Sequence, residues 1–542
     1  MDGTNLVAAR ALLSLSIAVG LAASTLAASP AVAATVTVTD WAGLSAAMLI
    51  DRDTVVLGAD IIANVDERLQ VEPGETVTLD LSGRALTIAT SIDDQSAVRV
   101  PATASLTIVD SVGGGSLIAT SGRNAAGIGG DVFDSAGSIT INAGAVTTTG
   151  GTNGAGIGGG SAFAGNPGDG GGGVITINGG VVTASGGTNA SGIGGGAYGN
   201  GGVTVINGGT VIASAGLNAA GIGGGDANFG GGDGGVITIN GGTVTANGGS
   251  FNGPGIGGGT RGGDGGTITI NGGSVTAVGG SGAAGIGTGA RGGDGGTITI
   301  TAGEVIATGG TAAAGIGGGR SGGNGAVLSI SGGRTTATGG LNATSGGGAG
   351  VGTGTEQLDL LDPPLVGTAQ LLGTLSGPLG TGGNGATGTD AGNAPGVAVT
   401  FTVVASAGRF VTVTTTDGAP PLSGAAGAVS IEYAFDVTLD QANGSTTTLV
   451  RVDAETPVAQ PPLPTREGFT FDGWRLGSAT GPVFAFTTPI TGPITLVAAW
   501  RPTLAETGAD AQPWSGLALG LLLTGGVLLA VARRRHATNR VT

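Results

Sequence analysis

Residues Gly262–Arg291 read GGDGGTITINGGSVTAVGGSGAAGIGTGAR, and variants of this phrase fill the chain from about Arg123 to Gly352. The isoleucine of its AGIG ending recurs at Ile128, Ile157, Ile193, Ile222, Ile256, Ile286 and Ile316, and Val351 takes its place once more. Successive copies lie 29 to 36 residues apart. A period of that length marks a stack in which each unit buries its apolar face only against its neighbours. Within a unit, TITI alternates with period two, so Ile268 and Ile270 point inward while Thr269 faces out. The same holds for Ile139 and Ile141, Ile175 and Ile177, Thr204 and Ile206, Ile237 and Ile239, Ile298 and Ile300, and Leu328 and Ile330. A second strand is expected around Val146, Val182, Val211, Val244, Val275 and Val305, and AGIG supplies a third, turned by glycines that tolerate positive φ. After the first strand come Asn142, Asn178, Asn207, Asn240 and Asn271, then Thr301 and Ser331, whose stacked side chains are predicted to hydrogen-bond one coil to the next.

Three short strands per 30-odd residues resemble the right-handed parallel β-helix of the pectate-lyase-like superfamily. With 121 glycines in 542 residues and 3% aromatics, a glycine-rich disordered chain is the alternative, and the regular Ile and Val positions argue against it. The expected fold is therefore all-β: Gly-rich β-helix repeats over 123–354, preceded at 35–122 by an N-terminal cap and irregular coils. In that first part TVTVT from Thr35 predicts a strand, and Asp40 caps a short helix with Trp41, Leu44 and Met48 on one face. Such a helix would cover the open end of the stack.

The two ends carry their own signals. Residues 1–34 combine Arg10, an apolar run from Ala11 to Leu26, and Ala31-Val32-Ala33-Ala34, the pattern of a secretory signal peptide. At the other end, over 503–542, Leu504-Ala505-Glu506-Thr507-Gly508 precedes an apolar run at 514–532 and Arg533-Arg534-Arg535, which predicts a C-terminal transmembrane helix with a basic tail. Together these resemble a sortase sorting signal of Gram-positive bacteria, with Ala505 replacing the usual proline as in the LAxTG variant of high-GC actinobacteria. The resemblance implies a protein secreted and anchored to the cell wall, with sortase and peptidoglycan as partners and Thr507 as the linked residue.

Between repeats and sorting signal, 355–431 reads as linker and an unassigned β-rich segment. Over 432–502, Gly468-Phe469-Thr470-Phe471-Asp472-Gly473-Trp474, Phe484-Ala485-Phe486 and the closing Trp500 resemble the Listeria-Bacteroides repeat, the B repeat of internalin B. That family implies a small β-grasp-like module without catalytic residues, in which Phe469, Phe471, Trp474 and Trp500 form the core.

Composition narrows the chemistry. The chain has no cysteine, its 19 basic residues are all arginine, and its one histidine, His536, lies near the C-terminus. Disulfides, thiol chemistry and zinc sites of Cys and His are excluded. The net charge of −16 disfavours nucleic acid as a partner. Gly154–Gly159 matches a dinucleotide GxGxxG, but the phrase recurs in coil after coil with no helical segment behind it. More informative is a column four to seven residues beyond each AGIG isoleucine: Phe133, Phe163, Tyr198 and Phe229, then Arg261, Arg291 and Arg320. Aromatic faces stack on sugars and guanidiniums pair with uronate or sulfate, so this loop edge is the candidate glycan-binding surface. A second column, Asn200, Asp233, Asp264, Asp294 and Asn324, would stack carboxylates about 5 Å apart, repelling by roughly 1 kcal/mol in water. Arg261 and Arg291, or calcium, could relieve that repulsion, although one acid per coil is sparse for calcium. No cofactor, metal or catalytic residue is expected. The reading is a non-catalytic, adhesin-like or glycan-binding surface protein whose partners are extracellular polysaccharides or the glycans of host or neighbouring cells. A structural stalk or coat component and a polysaccharide lyase or hydrolase are the alternatives.

Overall fold

The computed structural model describes residues 35–49, 54–162, 170–226, 230–321, 325–330, 332–340, 351–352, 370–372, 409–416 and 428–503. Its body is a parallel β-solenoid with three sheets running its length. The first sheet has 12 strands, from Thr35–Val38 to Gln370–Leu372, and the third has 10, from Leu69–Gln70 to Val351–Gly352. The second begins at Ile61–Ile62, reaches Arg334–Gly340 and continues into the C-terminal module, 15 strands in all. Between coils of the described solenoid the strands pair in parallel, with a register shift between Thr308 and Thr311: Ile268 stands on Ile237 and beneath Ile298, Val275 on Val244, and Ile286 on Ile256. Each first-sheet strand of the repeats alternates as predicted, with Ile139, Ile175, Ile268 and Ile298 inaccessible to solvent and the threonines between them outside. Thr204 replaces an isoleucine inside, and its buried hydroxyl has no hydrogen-bond partner.

The amide stack expected after the first strand is present. Asn178 Nδ2 donates to Asn142 Oδ1, Asn207 to Asn178 and Asn240 to Asn207 at 2.7 Å each, Asn271 donates to Asn240 at 2.8 Å, and the Thr301 hydroxyl to Asn271 at 2.9 Å. Each member uses one amide face as donor and the other as acceptor, so the side chains restrain coil spacing as the backbone does. A second amide stack was not anticipated: Asn124 donates to Asp94 at 2.8 Å, Asn153 to Asn124 at 2.7 Å and Asn189 to Asn153 at 2.9 Å. These asparagines stand four residues before the AGIG isoleucine.

The glycine content has a steric cause in the third sheet. Gly129, Gly158, Gly194, Gly223, Gly257, Gly287 and Gly317 follow the inward residue with φ between 130° and 140°. A Cβ added to any of the first six would overlap the carbonyl oxygen of the glycine one coil on. Only glycine fits both demands.

Both ends of the described solenoid are covered. At the start, helix Trp41–Met48 is capped by Asp40, whose carboxylate accepts the Gly43 N–H at 2.8 Å, and it buries Trp41, Leu44, Ala47 and Met48. Nearby, Arg68 and Arg99 share Asp131, at 2.7 and 3.0 Å. At the far end, strand Ala428–Asp440 pairs antiparallel with Arg334–Gly340. The Tyr433 hydroxyl donates to the Ile330 carbonyl at 2.9 Å, and Glu455 accepts the Gly303 N–H at 2.8 Å. The unassigned run Arg409–Thr416 is a strand on the same element, which also pairs with Thr448–Asp453 and, in parallel, with Ile494–Pro502. Strand Phe469–Leu476 completes this mixed sheet, and no helix packs on it among the described residues. Of the expected module core, Phe471 makes edge contacts with Trp474 and Trp500 at 5.9 and 5.6 Å, and the Trp500 indole donates to Gln441 O at 2.9 Å. Phe469 departs from expectation. It stays half-buried at the rim, beneath the Arg466 guanidinium at 4.1 Å.

Candidate functional site

After two or three residues in the third sheet, each coil must turn back toward the first, and the fifth residue beyond the isoleucine stands at that corner. There the backbone is left-handed: φ is 62° at Phe133, 63° at Tyr198, 57° at Arg261 and 55° at Arg291. Four of the candidate edge residues thus hold one equivalent backbone position. Arg320 does not, because Ser321 occupies the corner of its coil with φ 53° and Arg320 precedes it by one residue. Phe163 and Phe229 lie outside the described residues, so the aromatic half of the edge is represented by Phe133, 41% exposed, and the half-buried Tyr198.

The corners are stacked by main-chain bonds. Arg261 N donates to Ala290 O at 3.2 Å, Gly262 N to Arg291 O at 2.9 Å and Arg291 N to Arg320 O at 2.9 Å. This brings the three arginines together on successive coils around a cleft of about 190 Å³, lined also by Phe251, Asn252, Thr260 and Ala290. Phe251, 61% exposed, is a site residue that sequence reasoning missed. It belongs to the turn before the third strand, and the brevity of that strand brings it to the arginine corner. The only trace in sequence is that Leu217, also exposed, occupies its place one coil earlier. Below the cleft, the buried Thr260 hydroxyl donates to the buried Asp226 carboxylate.

In the acid column the side chains turn to the backbone of the next coil. Asn200 Oδ1 accepts the Asp233 N–H at 2.8 Å, Asp233 Oδ1 that of Asp264 at 3.0 Å, and Asp264 Oδ1 that of Asp294 at 2.8 Å. Each side chain thereby binds the backbone of the following coil, and no ion pair joins Arg261 to Asp264. Asn324 lies outside the described residues. Among the described residues, no three His, Cys, Asp or Glu side chains gather as metal ligands. The GxGxxG phrase at Gly154–Gly159 contains strand Ile157–Gly158, and among the described residues no helix follows it to offer an N-terminus to a phosphate.

Comparison with known families agrees with this architecture. Residues 175–197, 205–226, 237–260, 268–290 and 298–320 match the Beta helix repeat, and residues 435–499 match the Listeria-Bacteroides repeat domain. No curated protein and no solved structure matches the chain. The molecule is a parallel β-helix repeat protein that carries a Listeria-Bacteroides repeat. No helix of the described residues is long and apolar enough to cross a membrane. The expected signal peptide at 1–34, the LAETG sequence at 504–508 and the apolar run at 514–532 lie outside the described residues.

Proposed function

We propose that this protein is a non-catalytic surface protein, exported and linked to the cell wall through Thr507, whose solenoid edge from Phe133 to Arg320 holds extracellular glycans. The observation that carries the reading is conformational. Phe133, Tyr198, Arg261 and Arg291 stand in a left-handed corner that glycine would occupy without strain, in a chain that holds 121 glycines. Bulky side chains kept at strained positions point to a role for the side chains themselves. The acids of the neighbouring column accept backbone N–H groups one by one instead of meeting as a carboxylate pair, which favours binding over hydrolysis.

A glycan array probed with the intact protein and with a Phe133→Ala/Tyr198→Ala variant tests this. Retention of a defined glycan set by the intact protein, and its loss from the variant, is expected; no glycan retained by either leaves a structural stalk as the better reading. Release of new reducing or unsaturated sugar ends from the retained polymer would show an enzyme instead. For anchoring, Thr507→Ala is expected to move the protein from the wall fraction to the membrane, and unchanged wall attachment would refute the sorting signal.

A further inference from the structure

The basic end of the edge is built differently from the aromatic end, and the difference specifies a ligand. Three arginines on consecutive coils line one cleft, and like charges gathered there repel one another. Arg261 and Arg320 have no carboxylate partner among the described residues, and the Oδ1 of Asp264, the acid three residues beyond Arg261, is engaged by the Asp294 N–H. Phe251, 61% exposed, adds an apolar face to the lining of the same cleft of about 190 Å³.

We propose that this cleft binds an anionic sugar, its carboxylate or sulfate held among Arg261, Arg291 and Arg320 and its ring stacked on Phe251. The inference rests on the glycan-binding reading above and names the chemical class that one part of the edge selects. Guanidiniums bind planar carboxylates and sulfates through paired N–H donors, and an aromatic face accepts the C–H side of a pyranose. A neutral sugar would satisfy Phe251 and leave Arg261 and Arg320 without a counter-charge, so the cleft discriminates by charge. Two arginines occupy the strained corner, and their replacement by glycine relieves that strain. A variant that loses the anion site should therefore fold at least as well as the parent.

The test is calorimetric titration of the intact protein with a glucuronate-containing disaccharide, a sulfated disaccharide and their uncharged counterparts. At least one anionic disaccharide is expected to bind 10-fold or more tighter than its neutral counterpart, with an affinity that falls as salt rises; whichever binds identifies the oxyanion. The Arg261→Gly/Arg291→Gly variant should lose 10-fold or more of that affinity while its thermal midpoint stays equal or rises, and Phe251→Ala should weaken charged and neutral sugars alike. Equal affinity for charged and neutral sugars, or an unchanged affinity in the double-glycine variant, overturns the anion site. So does failure of both anionic disaccharides to bind while neutral glycans are retained on the array. In each of those outcomes the glycan-binding edge itself stands, whereas retention of no sugar in titration or array overturns both.

Discussion

Two columns of the solenoid run side by side and obey opposite rules. In the third sheet, the residue after the inward isoleucine is glycine from Gly129 to Gly317, with φ between 130° and 140°, and in the first six of these seven coils there is no room for a Cβ. Four residues further on, Phe133, Tyr198, Arg261, Arg291 and Ser321 hold the left-handed corner of five coils, where glycine would be easier. The first column is uniform because coil-on-coil packing allows one residue. The second varies although backbone conformation favours one residue, and the proposed binding edge draws on that variety. Repetition here separates architecture from specificity.

The contrast can be broken most severely from the glycine side. Gly257→Ala places a methyl group on the Gly287 carbonyl oxygen and keeps a positive φ, and is expected to cost about 3–5 kcal/mol in chemical denaturation. A loss under about 1 kcal/mol would mean that the third sheet is looser than described. Next in size is Tyr433→Phe, which tests whether the last coil is held by the module docked on it. Removing the hydroxyl that donates to Ile330 O should cost about 1–3 kcal/mol and speed proteolysis near the junction. Asn207→Ala interrupts the exposed amide stack between Asn178 and Asn240. Two solvent-accessible side-chain bonds are lost, and about 1 kcal/mol is expected by the same denaturation measurement. The smallest effect has the opposite sign. Arg291→Gly should stabilise by up to about 1 kcal/mol, because relief of the left-handed corner outweighs the added entropy of glycine in the unfolded chain. Destabilisation there would show that the arginine is a packing residue and remove the conformational argument for a binding edge.

Much of this was legible in the chain. Period-two isoleucines and valines marked first- and second-sheet strands, Asp40 marked the helix start, and asparagines after TITI marked a stack, because each signal is local and recurs with the repeat. The second amide stack was overlooked because its asparagines lie in Gly-, Ala- and Thr-rich turns without alternation. The backbone bonds of the acid column escaped a linear reading for a related reason. A row of aspartates suggests repulsion, and only coil stacking reveals that Asp264 reaches the Asp294 N–H across Gly293, where a Cβ would overlap the carboxylate. Of the candidate edge, the sequence located Arg261, Arg291 and Arg320 by counting from the isoleucine, yet counting could not show that Arg320 stands one residue before the corner. Phe251 lies before the third strand, and a linear count has no reason to join it to arginines that follow that strand.

Period, strand alternation and the glycine demanded by each AGIG phrase were thus settled by local sequence, since each depends on side-chain volume and backbone freedom within one coil. Tertiary structure alone decided which turns share a cleft, which corner residues are strained, and that Tyr433 reaches Ile330 across 103 residues of chain. Those relations arise between coils, where the distance that matters is the strand spacing and not the separation along the sequence.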